Sequence, residues 1–142
     1  MDYIFDENDI LFRFIKISHM LKRLTQNKLK KCGITFEQWY ILYFIHQNEG
    51  CNQNMLSKST KKDTGAMTRS LNTLQKMGLI ERKISYKDKR EFLIYLTDNS
   101  KELYKEISEL MLQNSKEIKS IFTESEFEQL NYLLDKLNSN LE

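Results

Sequence analysis

The 142 residues carry 22 Lys plus Arg against 20 Asp plus Glu, a formal net charge of +2, with 40% hydrophobic and 30% charged residues. That is one domain's worth of chain, too apolar for a disordered polymer and too charged for a membrane protein. No apolar run approaches the roughly 18 residues of a spanning helix, and the acidic opening Met1-Asp2-Tyr3-Ile4-Phe5-Asp6-Glu7 is unlike a secretory signal, so a soluble, cytoplasmic protein with no membrane partner is expected.

Proline is absent and glycine occurs only at Gly33, Gly50, Gly65 and Gly78, which favours a mainly α chain. From residue 10, Ile10, Phe14, Ile17, Leu21 and Leu24 recur at steps of four and three, the spacing of one helical face. Lys28, Lys30 and Lys31 suit the negative end of that helix, and Gly33 stops it. Thr35 and Gln38 form a capping box for a second helix, which carries Phe36, Trp39, Tyr40, Leu42, Tyr43 and Ile45 and ends before Gly50. A short third helix is predicted near residues 53–59, with Met55 and Leu56 inward. Asp63 or Thr64 caps a fourth, whose inner stripe is Met67, Leu71 and Leu74 and whose stop is Gly78.

Beyond Gly78 the apolar period shortens. Residues 79–85 and 92–96 read as two antiparallel strands joined by the polar segment Tyr86-Lys87-Asp88-Lys89-Arg90. Thr97 or Asp98 caps a fifth helix with Leu103, Ile107, Leu110, Ile118 and Ile121. Thr123 and Glu126 form a capping box for a sixth, with Phe127, Leu130, Leu134, Leu137 and Leu141 inward.

Charge divides along the same lines. Residues 51–96 hold ten cations against four anions, a balance of +6. Residues 1–50 balance to +1 with seven against six, and residues 97–142 to −5 with five against ten. The outer face of the fourth helix, with Gly65, Arg69, Asn72 and Lys76, is small or polar and net basic. Two short helices followed by a basic-tipped hairpin are the parts of a winged helix-turn-helix. A recognition helix needs small side chains for close approach to the major groove and a few donors for base edges, which Gly65, Ala66, Thr68 and Arg69 provide. Lys87, Lys89 and Arg90 at the wing tip suit the negative minor groove.

The runs Asp63-Thr64-Gly65-Ala66-Met67-Thr68-Arg69, Leu74-Gln75-Lys76-Met77-Gly78-Leu79-Ile80-Glu81-Arg82, Asp88-Lys89-Arg90 and Leu96-Thr97 together resemble the signature of the MarR (multiple antibiotic resistance regulator) family. Helix order and length match over essentially the whole chain. The resemblance implies a single domain over 1–142, with residues 1–34 and 98–142 as dimerisation helices and 35–97 as a winged helix that binds duplex DNA. It implies a homodimeric transcriptional regulator that reads a pseudo-palindromic operator; a repressor released by a small-molecule or redox effector is expected, with activation the open alternative. The recognition-helix candidates are Thr64, Gly65, Ala66, Thr68, Arg69 and Asn72, and the wing candidates Lys87, Asp88, Lys89 and Arg90. Asp88 and Arg90 match the family's Asp-x-Arg, in which Arg enters the minor groove and Asp orients the tip. Gly65 and Ala66 stand where many members carry Ser and Thr, which points to backbone phosphate contacts there.

Each reading has a plainer rival. Single lysines such as Lys28, Lys61 and Lys62 read as solvated surface, and an Asp88–Arg90 turn pair is worth under about 1 kcal/mol. The resemblance suggests that Phe14, His19, Trp39, Tyr40 and Tyr43 line a pocket for a small aromatic or phenolic effector where the dimerisation and DNA-binding parts join, and core packing explains the same residues at least as well. His19 and His46 share no HxxxH or HExxH spacing, which leaves Cys32 or Cys51 with a carboxylate as the remaining route to a metal; no cofactor is expected. Neither cysteine lies near the start of the first helix, where the family's peroxide sensors carry theirs, so inert thiols are expected. No nucleophile motif, GxGxxG, P-loop or paired-carboxylate spacing points to an enzyme. The alternative from another class is a dimeric winged-helix adaptor that binds protein rather than specific DNA.

Overall fold

Asp9 opens the first helix by accepting the backbone N–H of Leu11 at 2.9 Å, satisfying one of the donors that a helix start leaves unpaired. In this computed structural model, which describes residues 5–142, helix α1 spans Ile10–Leu29, and a 3-10 turn at Lys30–Cys32 leads to Gly33. Residues 1–4 of the acidic opening lie outside the described residues. Helix α2 spans Phe36–Gln47 behind the expected capping box: Gln38 N–H donates to Thr35 Oγ1 at 3.1 Å and Thr35 N–H to Gln38 Oε1 at 2.9 Å. Helix α3 is Gln53–Thr60, capped by Asn52, and α4 is Thr64–Lys76, capped by Asp63. Strands β1 (Ile80–Ile84) and β2 (Phe92–Leu96) follow, then α5 (Asp98–Lys119) and α6 (Glu124–Leu141), the last behind the expected Thr123–Glu126 capping box.

The stop after α4 fixes where the wing begins. Gly78 adopts φ +73°, a left-handed conformation that favours glycine. Its N–H bonds Gln75 O, and Leu79 N–H bonds Leu74 O, each at 3.0 Å. This pair of reversed bonds is a Schellman end, and buried Leu79 and Leu74 supply the apolar contact that accompanies it. The chain leaves the helix directly into β1. Strands β1 and β2 pair antiparallel with Ile80 opposite Leu96 and Ile84 opposite Phe92. A bridge that the sequence did not announce joins Cys51 to Ile94, through Gly50 N–H to Ile94 O at 2.9 Å and Ile94 N–H to Cys51 O at 2.8 Å.

The described residues thus form six α helices and one two-stranded sheet, a winged helix-turn-helix. The chain divides into two compact units, one through Ile107 and one from Ser108. The core of the first is built from Ile41, Leu42 and Ile45 of α2, Leu56 of α3, Met67, Leu71 and Leu74 of α4, and Ile80, Ile94 and Leu96 of the strands. In the same unit, every described residue of α1 up to Leu24 is exposed, and only Thr25 and Leu29 near its end are buried. In the second unit, α6 has no buried residue.

Inward assignments need correction at Met55, at Ile121 and along α6, where Leu134, Leu137 and Leu141 are 43%, 37% and 76% exposed because the apolar stripe of that helix faces solvent in the single chain. Met55 is 47% exposed while Leu56 is buried, because neighbouring positions lie about 100° apart around a helix and a two-turn helix inserts only one of them. Ile121 falls beyond the end of α5 in a turn, where it is 75% exposed. Among the described residues no helix is long and apolar enough to cross a membrane.

Candidate nucleic-acid interface

Helix α4 buries Met67, Leu71 and Leu74, so its periodicity turns Gly65, Thr68, Arg69 and Asn72 outward, and all four are exposed. Its first turn is held by Asp63, whose Oδ1 accepts Ala66 N–H at 2.9 Å. The position of Gly65 explains the small side chain there. A Cβ on Gly65 would lie 3.4 Å from Asp63 Oδ1 and 3.7 Å from Arg69 Nη1, so the guanidinium reaches back along the helix over the space that glycine leaves.

The candidate reading residues are not equivalent. Thr68 Oγ1 donates to Thr64 O at 2.9 Å and accepts from Gln53 Nε2 at 2.7 Å; the same Gln53 amide donates to Thr64 O at 3.1 Å. The Thr68 hydroxyl is therefore engaged, with one lone pair left. Asn72 Oδ1 accepts Arg82 Nη1 at 2.9 Å, and the same nitrogen donates to Gln75 Oε1 at 2.8 Å. Arg82 thereby ties α4 to β1 and leaves the amide donors of Asn72 and one Oδ1 lone pair for another partner. Arg69 makes no ion pair among the described residues.

The wing tip is a structured turn. Ser85 Oγ accepts Lys87 N–H at 3.3 Å and Asp88 N–H at 3.4 Å, and Glu91 N–H donates to Asp88 O at 3.0 Å. Asp88 Oδ1 accepts the Arg90 backbone N–H at 3.0 Å and its Nε at 3.4 Å, which joins the two residues of the expected Asp-x-Arg pair. Lys87, Lys89 and Arg90 are all exposed around it. At the base of the wing, Asn52 serves two elements: its Oδ1 caps α3 by accepting Met55 N–H at 2.9 Å, and its Nδ2 donates to Glu91 Oε1. Gln53, Arg82, Asn52 and Glu91 were not singled out from sequence. Only Arg82 left a trace, as the last residue of the signature run beginning at Leu74.

The effector-pocket candidates fall into two groups. Trp39, Tyr40 and Tyr43 share one aromatic array along α2, with ring centroids 6.3 Å apart for Trp39–Tyr40 and for Trp39–Tyr43, and with Phe36 and Phe44 continuing it. His19 instead lines a shallow hollow of about 570 Å³ with Glu7, Phe12, Ile15, Lys16, Met20 and Arg23. Phe14 is exposed and does not line it. Both cysteines are held as thiols. Burial and then the neighbouring Glu106 carboxylate raise the pKa of Cys32, and burial pushes that of Cys51 up to about 11. Among the described residues no group of three His, Cys, Asp or Glu side chains is placed to hold a metal.

The chain is 31% identical over 117 residues to the HTH-type transcriptional regulator BilQ of Clostridium symbiosum, covering 82% of this chain and 81% of the relative. A sequence profile of the MarR family matches residues 33–91. The chain belongs to the MarR family. Solved members of this family of transcription regulators have the same fold. MepR of S. aureus, crystallised as a DNA complex, superposes with a TM-score of 0.86 at 27% identity, over 93% of this chain and 98% of that one. A mutant MarR from E. coli complexed with operator DNA gives 0.86 at 30% identity, over 96% and 99%. A MarR protein from Peptoclostridium difficile gives 0.87 at 26%, over 99% and 94%. The profile match spans α2 to the wing tip, the stretch that contains every residue of the recognition and wing sets.

Proposed function

We propose that this MarR-family regulator is a homodimeric repressor that binds a pseudo-palindromic duplex, each protomer placing α4 in a major groove and its wing in the adjacent minor groove. The observation that carries this reading is the exposed, net basic face of α4, tied to the first strand of the basic-tipped wing by Arg82 on Asn72 and Gln75. The DNA complexes of MepR and MarR support it by likeness. Arg69 is the base or phosphate reader on α4, with the amide of Asn72 beside it, Thr64, Gly65 and Ala66 offering the helix N-terminus to phosphate, and Thr68 with Gln53 holding that end in shape. Lys87, Lys89 and Arg90 supply the wing's cations, with Asp88 orienting Arg90. Half-sites about 10 bp apart, one helical turn, would match two such heads.

The second copy covers what one chain leaves wet. Ile10, Leu11, Phe14, Ile17, Leu21 and Leu24 of α1 are each at least 39% exposed, and Leu134, Leu137 and Leu141 of α6 at least 37%. Contiguous apolar surface of this kind in a water-soluble helix marks an association face. Release by a small aromatic or phenolic molecule would act on the α2 array or the hollow beside His19, through unequal affinity for two spacings of the reading heads.

Selection of bound duplexes from a random pool tests the proposal: a palindromic consensus is expected, and recovery of unrelated sequences with salt-insensitive protein binding would favour the adaptor instead. On the selected duplex, Arg69→Ala should weaken binding by about 1 to 3 kcal/mol and leave the dimer intact in sedimentation. An unchanged affinity would take Arg69 off the reading face.

A further inference from the structure

Tyr86 stands at 103% of its reference exposure, on the wing tip between Ser85 and Lys87. An aromatic ring is a large apolar group that ordinarily finds cover, and this one has none among the described residues. It is also held in place, since the turn beneath it is pinned by the Ser85 and Asp88 hydrogen bonds already described. The ring is thus presented on a braced support.

A second observation extends this one. The strand register sets Arg82 opposite Ile94 and Ile84 opposite Phe92, so these four share one face of the hairpin with Ile80 and Leu96. Near α4 that face is core: Ile80, Ile94 and Leu96 are buried, and Arg82 reaches Asn72 and Gln75. Toward the tip it runs out past the body, leaving Ile84 59% and Phe92 51% exposed. An apolar strip therefore lies on the side of the wing turned to α4, ending at Tyr86 among Lys87, Lys89 and Arg90.

The flanking charge names the occupant. Three exposed cations around an exposed ring suit a polyanion, and a duplex offers both phosphates and the C–H walls of its deoxyriboses. With α4 in one groove and the wing in the next, the sugar-phosphate strand between the grooves must pass along this side of the hairpin. We propose that Tyr86 packs its ring on the deoxyribose wall of the minor groove entered by the wing, with Ile84 and Phe92 against the intervening strand, as a non-ionic DNA contact. This rests on the reading of α4 and the wing as a duplex-binding surface.

A neutral contact and a cationic one differ in how they respond to salt. On the selected duplex, Tyr86→Ala should weaken binding about tenfold at every salt concentration, with the slope of log affinity against log salt unchanged. Arg90→Ala should instead flatten that slope by about 1, because one phosphate neutralisation is lost. Tyr86→Phe keeps the ring and should bind within about twofold of the unaltered protein. Tyr86 is fully exposed, so these variants leave the fold intact, which circular dichroism checks. Unaltered affinity in Tyr86→Ala alongside a weakened Arg69→Ala overturns this proposal and leaves the DNA reading standing. A flattened slope in Tyr86→Ala, or a Tyr86→Phe loss as large as that of the alanine, overturns the ring contact in favour of cation placement or a hydroxyl bond. If the unaltered protein does not prefer the selected duplex over random DNA, the duplex reading itself falls and this proposal falls with it.

Discussion

Leu71→Ala is expected to cost about 2 to 5 kcal/mol of folding stability, a large share of the roughly 5 to 15 kcal/mol that a domain of this size has. Leu71 is 0% exposed at the middle of α4, one turn from Met67 and from Leu74, both of which are also fully buried. Helix α4 packs on α3 and β1 and Leu71 is fully buried, so truncation removes apolar atoms from the packed interior and leaves a cavity there. Alanine is the better helix former, but that gain is at most a few tenths of a kcal/mol and does not offset the cavity. The measurement is urea unfolding. The midpoint should fall with little change in slope, as expected when stability changes and the surface exposed on unfolding does not. Leu71 faces away from Arg69, so protein kept well below the unfolding transition should still bind duplex. A loss under about 1 kcal/mol would mean that the site collapses to fill the space and that α4 is less tightly seated than its burial indicates.

The same helix shows what sequence makes legible. Met67, Leu71 and Leu74 declare the buried face by spacing alone, and once that face is known the outward position of Arg69 follows by geometry. Asp63 and Gly78 mark the ends because capping and the left-handed stop are local chemistry, readable within a few residues. The hairpin is visible because the apolar period changes after Gly78. What the sequence hides is chemistry between elements. Gln53 and Thr68 are 15 residues apart and Asn52 and Glu91 are 39 apart, so their bonds exist only once α3, α4 and the wing are placed. The bridge from Cys51 to Ile94 is hidden for the same reason, since a single paired residue has no period. Asn72 is the instructive case. Its residue type and its position on α4 both suit a base reader, yet its amide oxygen is already bonded by Arg82, whose own role could not be foreseen from its place in a strand. The family resemblance groups Phe14 and His19 with the α2 aromatics, but five positions along a helix turn a side chain by about 140°, so the two of them point to different sides of α1.

If the proposed dimer forms through α6, Leu134→Asp should convert it to monomers at concentrations where the unaltered chain associates. Along α6, Phe127, Leu130, Leu134, Leu137 and Leu141 step by three and four residues on one face, and none of them is buried within the single chain. Leu134 is 43% exposed, so a carboxylate there meets water in the monomer and costs the isolated fold little. In the proposed dimer the same position is closed by a second copy. Two-fold symmetry then introduces the substitution twice, each copy burying an unpaired carboxylate whose effective penalty is several kcal/mol. The combined cost of more than about 5 kcal/mol would raise the dissociation constant by over three orders of magnitude. Sedimentation over a range of protein concentrations reads the shift directly, and circular dichroism checks that the helices persist. Ser139→Asp, on the opposite face of α6, adds the same charge and should leave association unchanged. A Leu134→Asp chain that sediments as a dimer at the same concentrations would remove α6 from the interface and leave the exposed face of α1 to carry it. Duplex binding discriminates further: a monomer keeps one reading head, so it should still bind through α4 and the wing but lose the large gain that comes from holding two heads at a fixed spacing.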